Sequence, residues 1–312
     1  MQLLARASTV LILAAITLSA AHRPAKKAPP AVDQQALRLQ VLLDRAHFSP
    51  GQIDASVGNV THLMLAAFQT QHGLPATGAP DDATTQALEQ GQESIPTTIS
   101  YTIIYDDVRG PFTPLPSDMM AEAKLPALNY QSAWEGVGEK FHCSPALLHR
   151  LNPQQVGLKP GDQITVPNIH HDIPQGAASI AVSKAARTVQ VLDASGKPIA
   201  TYPATIGSQH DPLPIGDWKV TKVEWNPTFY YDPNLFWNAK PQDAKATIKP
   251  GPRNPVGVVW IGLDKEHYGL HGTPVPASIG HTESHGCVRL TNWDAAEIAQ
   301  MVSGGTPVVF KE

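Results

Sequence analysis

Hydrophobic residues recur at helical spacing in three short stretches near the start of the chain. The first stretch follows Asp33 and includes Leu37 and Val41. The second runs from Asn59, a good capping residue, to Gly73, and the third begins at Asp81 and Asp82 and continues through Leu88. These stretches predict a small three-helix domain over residues 33–91, near the lower size limit for a self-sufficient core.

The next segment, residues 97–169, mixes two periodicities. Residues Ile99–Ile104 alternate as in a strand, and Gln163–Pro167 predicts another strand. Between them, Ser144 followed by Pro145 is a strong signal for a helix start. The segment is therefore predicted to be partly irregular and to end in a small α/β module.

From residue 178 the pattern changes to short runs of period two, which indicate strands. The chain as a whole is predicted to be multidomain α+β, with a mainly-β sandwich or barrel-like domain over residues 178–312. The predicted strands are residues 179–183, 188–192, 198–202, 218–223, 256–263 and 307–310, and the one clear helix is Asp294–Met301.

The first residues predict export. Arg6 precedes an apolar run from Val10 to Ala21 that ends in small residues, as a secretory signal peptide does. Residues 1–21 are therefore predicted to be a signal and residues 22–32 a linker. The apolar run is short for a bilayer span, so no integral membrane span is expected after cleavage.

Composition narrows the function classes. The 312 residues carry a formal net charge of −4 and no basic run, which argues against nucleic acid as a partner. The chain has two cysteines, Cys143 and Cys287, and an oxidising compartment would permit a disulfide between them. We expect instead that Cys287 is free and Cys143 is buried.

The strongest candidates for catalytic residues lie in the segment Ser284-His285-Gly286-Cys287-Val288-Arg289, with His271 upstream. A thiol becomes a useful nucleophile near an imidazole, since the thiolate is the reactive form. Gly286 allows a sharp turn before Cys287. In an extended segment Arg289 would share a face with Cys287, where it could pair with a substrate carboxylate.

Zinc is an alternative interpretation of the same region. A helix would place its histidines at i, i+4 on one face, but the segment is a poor helix former and lacks paired cysteines. We therefore favour a nucleophilic cysteine and predict neither a metal ion nor a cofactor. The residues that zinc would use are His267, His271, His281, His285 and Cys287.

On these residues the last 135 or so positions resemble the L,D-transpeptidase catalytic domain family of bacterial cell-wall enzymes. The resemblance implies that Cys287 is the nucleophile and His271 the general base, that His285, Ser284 and Gly286 complete the catalytic group, and that Arg289, Tyr268 and Gly272 bind substrate. The matching stretches are PATIGSQHDPLPIGDWKV, KPGPRNPVGVVW and IGLDKEHYGLHGTPVPASIGHTESHGCVRL.

The resemblance also implies a reaction. The cysteine would attack the diamino acid–D-Ala bond of a tetrapeptide stem, form a thioester and pass the acyl group to an amine, giving a 3→3 cross-link. A lysine of a wall-anchored lipoprotein or water, as in an L,D-carboxypeptidase, would be alternative acceptors. A non-catalytic wall-binding protein and a zinc peptidase are the competing function classes.

The other two modules fit the same setting. Residues 33–91 resemble the three-helix peptidoglycan-binding domain, and FHCSPALLHRLNP with LKPGDQITVP resembles the second half of a lysin-motif sugar-binding module. The expected partners are therefore peptidoglycan stem peptides and glycan, and the expected location is the periplasm or cell envelope. An aromatic-rich loop over residues 225–241 is expected to pack as a local core, with a lid over the substrate groove as the alternative.

Overall fold

The computed structural model describes residues 31–284 and 286–312. Its first module contains three helices. Asp33 caps the first of them by accepting hydrogen bonds from the backbone N–H groups of Gln35 and Ala36, and Asp81 caps the third through Thr84. These helices pack around a core that includes Leu42. The helices are α1 (Gln34–Arg45), α2 (Asn59–Gln71) and α3 (Asp82–Glu89).

The second module is a βααβ unit with an insertion after its first strand. The two strands pair antiparallel along their whole length, from Thr98 opposite Pro167 to Thr102 opposite Gln163. Two helices connect them and bury Val137 and Leu147 against the sheet. The elements are β1 (Thr98–Thr102), α4 (Tyr105–Val108), α5 (Met119–Glu122), α6 (Ala133–Lys140), α7 (Pro145–Leu151) and β2 (Gln163–Pro167).

The third module is built on a nine-stranded mixed sheet and one helix. A separate two-stranded hairpin lies in the long connection after the fifth of these strands. The sheet strands are β3 (Ser179–Ser183), β4 (Thr188–Leu192), β5 (Pro198–Pro203), β6 (Thr205–Ile206), β7 (Gly216–Trp225), β10 (Val259–Leu263), β11 (Gly269–His271), β12 (Val288–Arg289) and β13 (Pro307–Lys311); the hairpin is β8 (Phe229–Tyr231) with β9 (Ala246–Ile248), and the helix is α8 (Asn292–Met301).

The nine-stranded sheet curves almost into a barrel. Its strand order is β5-β4-β3-β13-β7-β10-β11-β12-β6, so β5 and β6 lie at opposite edges. These two strands are nevertheless separated in sequence by Ala204 alone. The two edges must therefore approach each other at this residue. Helix α8 packs against the sheet and buries Ile298 in the same core as Ile261.

The segment between α1 and α2 ties the three modules together. The Ser49 N–H donates to Thr201 of the edge strand β5, and the Thr201 N–H donates to His47. On its other side, the Ile53 N–H donates to His142, just before α7. This segment therefore covers a sheet edge that would otherwise leave its backbone groups unpaired.

The predicted mixed α+β architecture is confirmed, with small shifts at element ends. Helix α2 has Gly58 at its N-cap instead of Asn59, and α8 begins at Asn292 because Thr291 caps it. The strand predicted from Val256 begins at Val259, since Asn254 and Gly257 form a turn. In the described part of the chain, every helix is too short or too polar to cross a bilayer. The predicted signal peptide and most of the linker lie outside the described residues.

Candidate active site

The predicted base and the segment that follows the predicted nucleophile lie on two adjacent parallel strands. In the β11–β12 pair, Leu270 lies opposite Val288 and His271 opposite Arg289. Leu270 and Val288 are fully buried in the core. Because strand side chains alternate, His271 and Arg289 project toward the other face, and Cys287 lies immediately before β12. That Cys287 and Arg289 share a face stays a prediction, because Cys287 lies just outside the paired residues.

His271 is buried and its ring is held in one orientation. Its Nδ1 lies 2.7 Å from the Gly272 carbonyl oxygen, which can only accept, so Nδ1 carries the proton and Nε2 presents a lone pair. The ring of Trp260 on β10 stacks on the imidazole, with centroids 5.5 Å apart and planes at 21°. Burial and the nearby Arg289 charge lower the pKa of His271 to about 3. The imidazole is therefore neutral at physiological pH.

Cys287 keeps part of its surface exposed, although its sulfur is closely surrounded by protein. The thiol donates to the carbonyl of His267, with the sulfur 3.5 Å from that oxygen. Burial raises the pKa of Cys287 to about 11, against smaller lowering effects of the Gly269 backbone N–H and the Arg289 charge. With His271 neutral as well, the protein without substrate holds a thiol beside an imidazole instead of a preformed ion pair.

The turn before Cys287 is fixed from two sides. The buried Ser284 hydroxyl donates a 2.6 Å hydrogen bond to the Cys287 carbonyl, and the Ser284 N–H donates to Gly207. Gly286 has φ +96°, and a Cβ there would lie 2.8 Å from the ring of Tyr268. Any larger residue at Gly286 would therefore be strained and would displace Tyr268.

Gly272 lies behind the base. A Cβ at Gly272 would lie 2.1 Å from the side-chain oxygen of Asn292, and a Cβ at Gly257 would lie 2.0 Å from the same oxygen. Asn292 also accepts from the Val258 N–H and donates to the Pro252 carbonyl. Its amide thus holds the start of α8 against the segment before β10 and against Gly272, which follows β11.

The structure brings six of the predicted site residues around one turn and two strands: Cys287, His271, Ser284, Gly286, Arg289 and Tyr268. Gly272 supports His271 from behind, and His285 lies outside the described residues. Two contributors are absent from the sequence prediction, Trp260 and Asn292. Trp260 lies in the strand predicted over residues 256–263, which was a signal for its place in the sheet, whereas the contacts of Asn292 depend on the tertiary fold.

Both cysteines carry free thiols, and Cys143 is buried, as predicted. Burial raises the pKa of the Cys143 thiol far above its usual range. Among the described side chains, the group with metal-ligand spacing is His47, His171 and Glu297, which includes none of the residues of the zinc alternative.

The aromatic-rich segment 225–241 divides between two environments. Phe229, Tyr231 and Phe236 pack in a small satellite core with Leu128 and Ile248. A second group of side chains faces outward, and the ring of Trp237 stacks on His210 with centroids 4.6 Å apart. The expected local core is present, and a set of exposed apolar side chains lies beside it. This exposed set is Trp225, Tyr230, Leu235 and Trp237.

Two family models match the chain. The model described as "L,D-transpeptidase catalytic domain" matches residues 177–310, and the one described as "Putative peptidoglycan binding domain" matches residues 33–88. Both matches fall on modules that the hydrophobic pattern separates.

Curated relatives match over the same region. The chain is 33% identical over 177 residues to "Putative L,D-transpeptidase YkuD" of Bacillus subtilis, an alignment that covers 56% of this chain and 90% of that protein. It is 29% identical over 182 residues to "Probable L,D-transpeptidase YbiS" of Escherichia coli, covering 56% of each chain.

Among solved structures, the chain aligns with an L,D-transpeptidase from Mycobacterium smegmatis, at 22% identity and a TM-score of 0.36. That alignment covers 49% of this chain and 64% of the other. L,D-transpeptidase 3 from Mycobacterium tuberculosis aligns at 18% identity and a TM-score of 0.35, covering 50% of this chain and 76% of the other.

Proposed function

Because the chain belongs to the L,D-transpeptidase family, we propose that it is an exported enzyme that remodels peptidoglycan through a thioester on Cys287. The single observation that best supports this is the register of β11 and β12, which pairs His271 with Arg289 directly after Cys287 and Val288. The oriented Nε2 lone pair of His271 is the proton acceptor that such a nucleophile requires.

In the proposed first step, the Cys287 sulfur attacks the carbonyl carbon of the diamino acid in a tetrapeptide stem. Both groups are neutral beforehand, so the thiol proton passes to His271 as the carbon–sulfur bond forms. Backbone N–H groups at Gly286 and Cys287 would stabilise the oxyanion. The imidazolium then protonates the departing D-Ala amine, which leaves the thioester and a neutral His271.

In the second step, an amine of an acceptor stem attacks the thioester and gives its proton to His271. The thiolate leaves and takes up that proton, which regenerates the starting pair. The product is a 3→3 cross-link, while a lipoprotein lysine would give an attached protein and water would give a tripeptide. Cys287 and His271 would serve all three acceptors in the same way.

Recognition of the donor is proposed to rest on Arg289 and Tyr268. Arg289 is paired with His271 and is predicted to share a face with the nucleophile, and its guanidinium suits a stem-peptide carboxylate. Tyr268 packs over Gly286 and borders the thiol. The helical and βααβ modules are proposed to hold the enzyme on glycan, consistent with the match of residues 33–88 to a peptidoglycan-binding model. The enzyme is accordingly proposed to act in the periplasm or cell envelope.

Mass spectrometry of the protein after exposure to a carbapenem tests the nucleophile. We expect one covalent adduct on the wild type and on Cys143→Ala, and none on Cys287→Ala. An adduct that survives Cys287→Ala would refute the assignment. Incubation with disaccharide-tetrapeptides, followed by separation of the products, then distinguishes cross-linked dimers from tripeptide; absence of both products would favour a non-catalytic wall-binding protein.

A further inference from the structure

A cluster of imidazoles and carboxylates lies where the three modules meet, separate from Cys287. His47 follows α1, His171 follows β2, and Glu297 projects from α8. The Nδ1 of His47 lies 3.4 Å from Glu297 Oε1, and the Nε2 of His171 lies 3.4 Å from Glu297 Oε2. One donor atom from each of these three side chains lies within 4.8 Å of the other two.

These separations fit the coordination shell of a small divalent ion. Zinc bonds of roughly 2.0–2.2 Å to nitrogen and oxygen in a tetrahedron place neighbouring ligand atoms about 3.3–3.5 Å apart. Each imidazole nitrogen lies at that spacing from one Glu297 oxygen, His47 from Oε1 and His171 from Oε2, so the carboxylate turns one oxygen toward each histidine. The widest separation among the three donor atoms is at most 4.8 Å, so a bound ion would draw them slightly together. Two imidazoles with one carboxylate is also a ligand set that zinc uses when it keeps a fourth position for water.

Several polar atoms of the cluster are buried without a hydrogen-bond partner among the described residues. They are His47 Nδ1, Glu297 Oε1 and Asp44 Oδ1. Asp44 and Glu297 are only 3% and 8% exposed. His47 Nδ1 and Glu297 Oε1 face each other at 3.4 Å without a hydrogen bond, and Asp44 Oδ1 lies 3.5 Å from His171 Nδ1. Because a buried polar atom without a hydrogen bond is costly, an ion between His47 and Glu297 would satisfy both of those atoms.

The tautomer of His171 also suits a metal ligand. Its Nδ1 lies 2.8 Å from the Ile169 carbonyl oxygen and therefore carries the proton, which leaves Nε2 free to coordinate. The same Nδ1 lies 3.5 Å from Asp44 Oδ1. A carboxylate behind the far nitrogen of a ligating histidine is a recurrent feature of zinc sites, because it orients the ring and makes it a better donor.

His47 has a strained backbone conformation that tertiary contacts hold in place. Its φ is +61°, a left-handed conformation that is uncommon outside glycine. Its carbonyl accepts from Thr201 on the edge strand β5, which fixes the ring at the junction. Strained backbone of this kind persists where the surrounding structure determines it, often at binding sites.

A cavity borders the cluster on the side of His171 and Glu297. Its volume is about 570 Å³, and its lining also includes His142, Trp293 and Gln300. The remaining coordination position of a bound ion would therefore face water in the cavity.

We propose that His47, His171 and Glu297 bind one divalent transition-metal ion of the zinc class, with Asp44 as the carboxylate behind His171. The ion would join the helical module, the segment after β2 and helix α8 in one clamp. It takes no part in the proposed transpeptidase chemistry, so the failure of either proposal leaves the other standing. It departs from the prediction from sequence, which considered only the histidines around Cys287 as ligands.

Binding is best measured on untagged, chelator-treated protein carrying Cys287→Ser, since this removes the exposed thiol as a competing ligand. Competition between the protein and a chromogenic zinc chelator should give one zinc ion per chain. Cobalt substitution should give the visible bands of a four-coordinate nitrogen–oxygen site without a thiolate charge-transfer band. Zinc should also raise the midpoint of thermal unfolding, by an amount that grows with the logarithm of its concentration above Kd.

Variants locate the site. Glu297→Gln and His171→Gln should each weaken zinc binding at least tenfold and abolish the thermal shift, and Asp44→Asn should weaken binding by about 10–100-fold. His72→Gln alters an exposed histidine of the same helical module and should bind as the parent does. Far-UV circular dichroism identifies any variant that fails to fold. If His171→Gln fails to fold, zinc binding by Glu297→Gln tests the site, because this substitution keeps the shape of the side chain.

Two results would overturn the proposal. The first is the absence of stoichiometric zinc binding by the parent protein at micromolar concentrations, which would make the cluster a metal-free network of histidines and carboxylates. The second is zinc binding that Glu297→Gln and His171→Gln leave unchanged.

Discussion

Ser284 and Cys287 are joined by a 2.6 Å hydrogen bond from the Ser284 hydroxyl to the Cys287 carbonyl oxygen. The bond closes the turn that carries the thiol, and Ser284 is itself 2% exposed. We therefore expect the Ser284 hydroxyl to affect where the Cys287 sulfur lies through this backbone contact. Ser284 is thus expected to act as a positioning residue for the turn that carries Cys287.

Ser284→Ala should slow carbapenem acylation of Cys287 by about tenfold, because loss of a buried hydrogen bond costs about 1–2 kcal/mol and loosens the turn. Ser278→Ala is the matched control, since the exposed Ser278 hydroxyl makes an equivalent 2.6 Å bond to the Val275 carbonyl. Stopped-flow measurement of acylation compares the two. Equal rates for both variants would show that the Ser284 bond does not position the thiol.

Gly286→Ala should lose most acylation activity, since the new Cβ would combine a left-handed backbone with a 2.8 Å contact to Tyr268. Gly305→Ala separates these two effects. Gly305 has φ +93°, close to the +96° of Gly286, but no atom lies within 4 Å of its ideal Cβ. We expect Gly305→Ala to lower the unfolding midpoint modestly and to keep full activity. Full activity of Gly286→Ala would mean that Tyr268 moves away without consequence.

The alkylation rate of Cys287 by iodoacetamide should rise about tenfold per pH unit between pH 7 and 10. The reason is that burial raises the pKa of the Cys287 thiol to about 11, so the reactive thiolate grows throughout this range. Cys287→Ser should abolish the labelling, since the pKa of the buried Cys143 thiol is raised further still. A rate that is already constant above pH 7 would contradict the neutral pair and indicate a preformed thiolate–imidazolium pair.

Glu139→Gln should stabilise the protein at alkaline pH. Burial raises the pKa of Glu139 from 4.5 to about 7, and its Oε1 has no hydrogen-bond partner among the described residues. The folded state therefore binds more protons than the unfolded state between these values, so stability falls as pH rises through that window. At pH 8 the substitution should raise the free energy of unfolding by about 1–3 kcal/mol.

Denaturant unfolding of Glu139→Gln at pH 5 and pH 8 checks this, with Glu266→Gln as the control because the Glu266 side chain is 88% exposed. The gain should be much smaller at pH 5, where Glu139 is mostly protonated in the folded protein. An equal gain in the free energy of unfolding at pH 5 and pH 8 would mean that folding does not raise the pKa of Glu139.

The sequence by itself determined the local elements and the chemistry of the nucleophile. Helix caps such as Asp33 and Ser144 act over three residues, and strand alternation predicts that Cys287 and Arg289 share a face; both depend on short-range geometry. The family resemblance, carried by the motif around Cys287, predicts His271 as the base. These features could be predicted because neighbouring residues specify them.

Only the tertiary structure decided which distant side chains surround those residues. The stacking of Trp260 on His271 depends on the pairing of β10 with β11, and the contact of Asn292 with Gly272 depends on how α8 packs. The junction of His47, His171 and Glu297 joins positions up to 250 residues apart, counted from 47 to 297. The pKa shifts of His271 and Cys287 also depend on the tertiary structure. Burial lowers the pKa of His271 and raises that of Cys287, because desolvation is a property of the packed environment and not of the sequence nearby.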